Sequence, residues 1–476
     1  MLDQSFSLEN FKKIFEIENR KGNFESEFYS EEFHRLSSEL KRKRKEIKDY
    51  KAKGIIPEDD DNLERLYNEK TEIQENKNEE LEITLHELVE TVNNKSFKFI
   101  FSKFHHGDSG KDVFPVKKDA ASFYTMKQLQ HNINRTFGVK QSNRYLITKQ
   151  VQGLLKDNFP KIILRTDIKG FYESVSQEKL LELINDNQLL SPKSKTLIKS
   201  LFYSYNELTG QLEKPVSERK GIPRGAGISA YLSELFMRKI DNQIKRVDNV
   251  YYYGRYVDDI IIFFVPNWKN SIEDYKKNIS EIIESVNLTM NTSKTFPYDL
   301  EKDSRVMKIE FLGYIFEMKD LSYSRTYLSE NKKKKYVSRI KKTFDVYTKQ
   351  FDFAPKEAYK LLIHRINYLT KNTRLHKPKK GLVGIYYSNS LIENDCKDLV
   401  FLDKELYRII DEKFPAASFS DLNRKLKKYS FKDGFINKRF FNINSKKKNI
   451  ADLRPEVLKE AKKLNNNFER IISIWK

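Results

Sequence analysis

Polar and apolar positions divide the chain into three textures. Between Glu31 and Lys53, and between Asp61 and Asn94, charged helix-favouring residues dominate, with Leu63, Tyr67, Ile73, Leu81, Leu85 and Leu88 at loosely helical spacing. Gly54 and Pro57 interrupt this pattern, so a helical hairpin is predicted. From about Ser96 to Met318, β-branched and aromatic runs (Phe97–Phe104, Ile162–Thr166, Val250–Val265, Ile309–Met318) alternate with longer helical stretches such as Ser174 to Asn185. That alternation is α+β texture. Beyond about Ser329 the pattern is helical again and rich in lysine. Boundaries are therefore expected near residues 95 and 330, giving regions 1–95, 96–330 and 331–476.

A chain of 476 residues is long enough for about three folding units of roughly 100–200 residues each. With 38% hydrophobic residues, 33 Phe and 26 Tyr, it can bury a sizeable core, which excludes wholesale disorder despite 33% charged residues. Cys396 is the single cysteine, so neither an intramolecular disulfide nor a cysteine zinc cluster can form. No uncharged apolar run reaches membrane-spanning length and no secretory leader is evident, so a cytoplasmic protein without a membrane partner is expected.

Charge changes the picture further. There are 89 Lys plus Arg against 68 Asp plus Glu, a net of +21, which points to a polyanion as partner. Residues 331–476 carry 36 basic and 16 acidic side chains, whereas residues 1–100 carry 18 and 24. Nearly all the excess thus lies in the last third, where Lys332, Lys333, Lys334 and Lys335 form one run and Lys446, Lys447 and Lys448 another. A solvated lysine-rich surface is the alternative.

The sharpest local pattern is Tyr256-Val-Asp-Asp259, set between Val250–Tyr253 and the apolar run Ile260–Val265. Adjacent acids beside buried strands are costly unless a cation or proton compensates them, although Asp-Asp is also common in an exposed turn. Asp167 follows the strand-like Lys161–Thr166 and precedes a helix, which suits either a helix N-cap or a site residue. A strand end beside a strand–Asp-Asp–strand hairpin can gather three acids from distant sequence, a set suited to two divalent cations about 3.5–4 Å apart in phosphoryl transfer. Gly221-Ile-Pro-Arg-Gly-Ala-Gly-Ile-Ser229 reads as a glycine turn opening into an amphipathic helix, and Glu310-Phe-Leu-Gly-Tyr314 as a β-hairpin. His105 and His106 lack further ligands at metal-binding spacing and read as loop residues.

Taken in order, these motifs resemble those of reverse transcriptases. Asp167–Tyr172 resembles motif A, Gly221–Ser229 motif B, Tyr256–Asp259 the Tyr-x-Asp-Asp box of motif C, Asn291–Lys294 motif D, and Phe311–Gly313 the motif E primer grip. Asp-Ile-Lys-Gly-Phe-Tyr-Glu-Ser at 167–174 is most similar to prokaryotic defence-associated and abortive-infection enzymes. Gln4–Ser7, Asn10-Phe11 and Glu18–Gly22 resemble the smaller polymerase of type 3 defence systems, in which two reverse transcriptases act with a noncoding RNA. The resemblance implies an α+β right-hand polymerase: a helical N-terminal extension (1–95), fingers and an antiparallel-sheet palm (96–330), and a basic helical thumb or C-terminal domain (331–476). It implies RNA-directed DNA synthesis in antiphage defence, with two Mg²⁺ ions on Asp167, Asp258 and Asp259, and dNTPs as substrates. A noncoding RNA and an RNA–DNA duplex are the implied partners, with a second reverse transcriptase subunit and an oligomeric assembly. Untemplated protein-primed synthesis and a catalytically idle RNA-binding scaffold are the alternative functions.

Several further roles follow from the resemblance. Tyr172 matches the steric gate that excludes a ribose 2′-hydroxyl, Lys294 the motif D lysine near the leaving pyrophosphate, and Gly225 a position under the nucleotide. Arg135 and Arg144 are expected to grip the triphosphate, with structural ion pairs as the alternative. Arg224 departs from the family, which has Gln after the motif B proline, and Ala230 replaces a common Pro. A guanidinium there can grip phosphate or stack on a base, or pair with a neighbouring acid. Tyr386 and Tyr387 could stack on bases or prime DNA synthesis, against a reading as packing residues.

Overall fold

The computed structural model describes residues 3–20, 26–52, 61–106, 110–157, 159–300, 306–374, 381–394, 397–442 and 467–475. The lysine run 446–448 and Cys396 lie outside them. Helices α1 (Leu8–Arg20), α2 (Glu31–Lys51) and α3 (Asp61–Asn93) open the chain. Ser30 caps α2 by accepting from the Phe33 amide, and Phe33, Leu36, Leu40 and Ile47 repeat at helical spacing along its buried face. On α3 the buried positions are Leu66, Leu81, Leu85 and Val92, so the predicted hairpin forms with a stripe displaced from the expected one, Tyr67 being exposed. A short antiparallel pair follows, β1 (Phe104–His106) with β2 (Lys111–Val113). The run Phe97–Phe104 was expected to be a strand, but it forms only the bridge Phe101–Val116 and the first residue of β1. Burial alternates as in a strand from Phe97 to Phe101, with Phe99 buried and Lys98 and Ile100 exposed, but the alternation stops there and Phe104 is exposed.

The middle of the chain runs α4 (Ala120–Phe137), α5 (Arg144–Leu155), β3 (Ile162–Asp167), α6 (Phe171–Ser174), α7 (Gln177–Asn185), α8 (Pro192–Thr209) and α9 (Ser229–Lys245). It continues through β4 (Val250–Tyr256), β5 (Asp259–Phe264), α10 (Ile272–Glu284), β6 (Phe296–Asp299), β7 (Met307–Phe311), β8 (Tyr314–Lys319) and β9 (Ser322–Leu328). Then come α11 (Glu330–Phe351), α12 (Pro355–Thr370), β10 (Asn372–Arg374), β11 (Leu382–Gly384), α13 (Lys397–Lys413), α14 (Ala416–Leu426), α15 (Phe431–Ile436) and α16 (Asn467–Ile472). Strands order as β4-β5-β3-β6 in one sheet and β7-β8-β9 in another, so the fold is α+β. Ile260–Phe264 is buried throughout, which is why this strand reads as an unbroken apolar run.

The chain folds into two discontinuous units. The first comprises residues 1–142, 166–260 and 273–295, the second 143–165, 261–272 and 296–476. In the first, α1 and α3 pack on α4: the Phe11 and Tyr124 rings lie 5.2 Å apart, the Tyr29 and Tyr124 hydroxyls 2.7 Å apart, and Asn132 Nδ2 donates to the Gln4 carbonyl at 2.9 Å. The acidic N-terminal helices are thus built into this unit's core, and α9 also packs on α4. In the second, α11 packs on α12 and α13 around Ile340, Phe344, Leu362, Ile366, Leu402 and Leu406. β6 pairs antiparallel with β3 in the register Ile162–Asp299 to Arg165–Phe296.

Candidate active site

The acids lie in the first unit, where main-chain hydrogen bonds assemble them. The Ile168 amide donates to the Asp258 carbonyl at 3.1 Å, which joins the end of β3 to the β4–β5 turn. On the other side, the Asn291 amide donates to the Asp167 carbonyl (2.8 Å) and the Lys169 amide to the Thr289 carbonyl (2.9 Å), zipping 289–291 alongside 167–169. The Thr166 and Thr295 hydroxyls add a 2.7 Å bond. Segments far apart in sequence therefore meet at Asp167, and Lys294, in the turn Thr292–Lys294, reaches back to place Nζ 2.7 Å from Asp167 Oδ2.

Asp167 is 5% exposed, and its Oδ1 is buried without a hydrogen-bond partner. A buried carboxylate oxygen left open in this way calls for a donor or a cation, and a hard divalent ion suits it. Asp258 and Asp259 are half-buried, Asp259 opening β5. Among the described residues no three His, Cys, Asp or Glu side chains are gathered as a metal site. The Lys294 ammonium supplies the counter-charge to Asp167, which relieves the cost of a buried carboxylate. The donors suit divalent cations in kind, with Asp167 placed to hold one through Oδ1.

The turn that presents Asp258 is strained. Val257 has φ +61°, a left-handed conformation that β-branched residues rarely adopt. Arg255 holds it: its Nη1 donates to the Val257 carbonyl at 3.0 Å. This guanidinium, 5% exposed, is gripped by Glu234 Oε2 (2.7 Å) and by both Asp241 oxygens (2.8 and 2.7 Å), and the Tyr253 hydroxyl donates to Asp241 Oδ1 at 2.6 Å. Burial raises the Glu234 carboxyl above the usual range, and burial with the Asp241 charge pushes the Tyr253 phenol well up. Arg255, Glu234 and Asp241 escaped the sequence reading. Their signal was an arginine inside an aromatic strand and two acids seven residues apart on one helix face.

Tyr172 is half-buried on α6, beside the fully buried Phe171. Burial raises its phenol, against the lowering effects of a hydrogen bond with Ser233 and of the Arg224 charge. The Arg224 guanidinium lies 4.7 Å from the Tyr172 ring centre and donates from Nη2 to Glu173 Oε1 at 2.9 Å. It both stacks on a ring and pairs with an acid, the ring being a side chain of this protein. Gly225 has φ +93°, and a Cβ there would lie 2.5 Å from Val113 Cγ1. Its backbone approach is thus used against β2, where the Phe114 amide donates to the Arg224 carbonyl at 2.6 Å.

Arg135 is exposed in the last turn of α4. Arg144 belongs to the second unit, where Nη2 donates to the Leu312 carbonyl at 2.9 Å and braces the β7–β8 turn. In the same unit the run Lys332–Lys335 does not share a face. Lys332 lies 4.1 Å from the Tyr314 ring centre and 3.3 Å from the Ser388 carbonyl, and Lys333 pairs with Glu330 and Asp398. Lys334 and Lys335 are exposed. Tyr386 packs against Tyr387 and Phe435 with ring centres 5.1 and 5.2 Å apart. His105 Nδ1 lies 3.0 Å from Asp112 Oδ1 across the β1–β2 pair.

No curated protein matches the chain. Among solved structures, apo telomerase from Candida tropicalis, truncated from the C-terminal domain, is similar at 13% identity and a TM-score of 0.32. The match covers 48% of this chain and 54% of that one, so the chain spans about half the length of its structural neighbour. Residues 116–316 match the family model of the reverse transcriptase, an RNA-dependent DNA polymerase. That stretch contains Asp167, Tyr172, Arg224, Asp258, Asp259 and Lys294. Residues 116–316 therefore match a reverse transcriptase domain, a match that indicates a nucleotidyltransferase of the RNA-directed DNA polymerase class, within a chain of α+β fold.

Proposed function

We propose that the whole chain is an RNA-directed DNA polymerase of antiphage defence that copies a bound noncoding RNA. The observation that carries the reading is Asp167, buried with one oxygen unpartnered and main-chain bonded beside Asp258 within the matched domain. Asp167, Asp258 and Asp259 would hold two Mg²⁺ ions, which when bound supply Lewis-acid activation of the primer hydroxyl and neutralise the triphosphate. The primer 3′-oxygen forms the new bond to the α-phosphorus of the dNTP as the bond to pyrophosphate breaks. Lys294 brings positive charge to the acid edge and meets the departing pyrophosphate. Tyr172, with Arg224 across its ring, bounds the sugar pocket. The basic residues of 331–476 hold the RNA or RNA–DNA duplex, and a second reverse transcriptase subunit completes an oligomeric, cytoplasmic assembly.

Asp258→Asn and Asp167→Asn test the reading, since each removes a charge without changing shape. dNTP incorporation on a primed RNA template should fall at least a hundredfold, with the circular dichroism spectrum unchanged. Wild-type incorporation by the double variant would overturn it.

A further inference from the structure

The second unit contains a cavity of about 490 Å³ lined by Tyr359, Lys371, Lys425, Lys428, Tyr429 and Arg439. Its volume lies in the range of about 300–1,000 Å³ typical of small-ligand sites. Three helices build it. Tyr359 comes from α12, Lys371 caps the C-terminus of that helix, Lys425, Lys428 and Tyr429 lie at and just beyond the end of α14, and Arg439 follows α15. Asp433 is the acid in the lining, and it is already engaged: it accepts from Asn437 Nδ2 at 2.6 Å and from Arg439 Nε at 3.3 Å. The hydrogen bond from Asn437, with Arg439 and the Lys371 charge, holds its carboxyl below the usual range. Asp433 thus shares its charge with Arg439 and Lys371, whereas Lys425 and Lys428 in the same lining have no ion-pair partner among the described residues.

The rings make this more than a patch of charge. Lys371 Nζ lies over the half-buried Tyr429 ring, 5.5 Å from its centre, so one face of the ring carries a cation and the opposite face is the one a base would use. Tyr359, 37% exposed, is a second ring in the lining. Ammonium groups spaced around aromatic faces suit a phosphate-linked base, because the backbone needs positive charge and the base needs a face on which to stack. An acidic peptide would use the charges and leave the rings unused.

We propose that this cavity seats one nucleotide of single-stranded nucleic acid, with its phosphates on Lys371, Lys425 and Lys428 and its base on Tyr429. The site rests on the nucleic-acid-binding part of the proposed function and deepens it, adding a site in the second unit that holds a single strand.

The test uses the full chain and a fluorescent single-stranded 12-nucleotide RNA, followed by anisotropy over a range of salt. Tyr429→Ala should weaken binding roughly five- to a hundredfold, as loss of a stacked base does, while Tyr429→Phe stays near wild type. Lys371→Ala with Lys428→Ala should lower the log–log salt slope by about 1.4, at roughly 0.7 per phosphate contacted. If the lysine pair lowers affinity but Tyr429→Ala does not, the cavity is a phosphate site only and the stacked nucleotide is overturned. Unchanged binding in both variants overturns the site altogether. Photo-crosslinking of a 4-thiouridine RNA to the wild-type chain gives a readout that does not depend on a variant folding: adducts at Tyr359 or Tyr429 are expected, and adducts confined to other segments overturn the assignment. dNTP incorporation on a pre-annealed primer–template at saturating concentration reports separately on the polymerase reading, because it can fail while oligonucleotide binding persists.

Discussion

At the scale of single residues, Arg224 is the informative departure. Its guanidinium is held between the Tyr172 ring and the Glu173 carboxylate, so it acts as a positioning residue for the proposed sugar gate. A cation over an aromatic face at a partly exposed site contributes about 0.5–1 kcal/mol, or roughly two- to fivefold in a ratio of rates. Arg224→Gln should therefore lower the preference for dNTP over rNTP, measured as the ratio of kcat/KM values, by about that factor. Tyr172→Ala should lower it more. If Tyr172→Ala changes the ratio and Arg224→Gln leaves it untouched, the ring is held by Phe171 and the α6 backbone, and Arg224 serves elsewhere. Arg255 works differently, through the turn backbone: it restrains Val257 in a conformation that this residue type resists, so that the acids stand at a fixed bend.

At the scale of elements, α11 shows how a helix sorts a lysine run. Four consecutive lysines span just over one turn, so they cannot all face solvent when the helix packs on α12 and α13. Lys332 points to the β7–β8 turn, where burial and the Arg144 guanidinium push its ammonium down to about 7 from 10.5. Above pH 7 the folded chain has released this proton, whereas the unfolded chain keeps it until about 10.5. Stability should therefore rise with pH across that window, and below about 7 the burial penalty is present in full. Urea midpoints between pH 7 and 9.5 check this. Lys332→Met should gain most over the wild type near pH 7, with the advantage shrinking towards 9.5. A difference that stays constant with pH would mean the ammonium is not held in an apolar setting.

At the scale of the whole molecule, charge and architecture diverge. The first hundred residues, net acidic, are woven into the first unit through Phe11, Tyr124 and Asn132, whereas the basic excess belongs to the second unit. RNA affinity of the full chain should fall linearly with log salt. Lys334→Ala with Lys335→Ala should lower the slope by about 1.4 if both touch single-stranded phosphates, whereas Lys332→Ala should leave it nearly unchanged near pH 8, where that side chain is largely neutral. Equal slopes for all variants would place the phosphate contacts of the second unit away from α11.

Local pattern determined much about this protein. The helical hairpin, the strands around Ile162, Val250 and Ile309, and the strand–turn–strand at Tyr256–Asp259 are set by periodicity and turn chemistry, which act over a few residues. The motif order likewise marked the domain that residues 116–316 form. Only tertiary structure decided the rest, since it depends on which faces meet. It set Lys294 against Asp167, buried Arg255 between two carboxylates from α9, and closed Gly225 onto Val113. The same packing turned Lys332 inward and brought Tyr359, Lys371, Lys428, Tyr429 and Arg439 around one cavity from three separate segments. Sequence spacing carries the period of an element, but the partner that each face buries is fixed by long-range packing, and that packing selects which charges are neutralised and which stay open to a ligand.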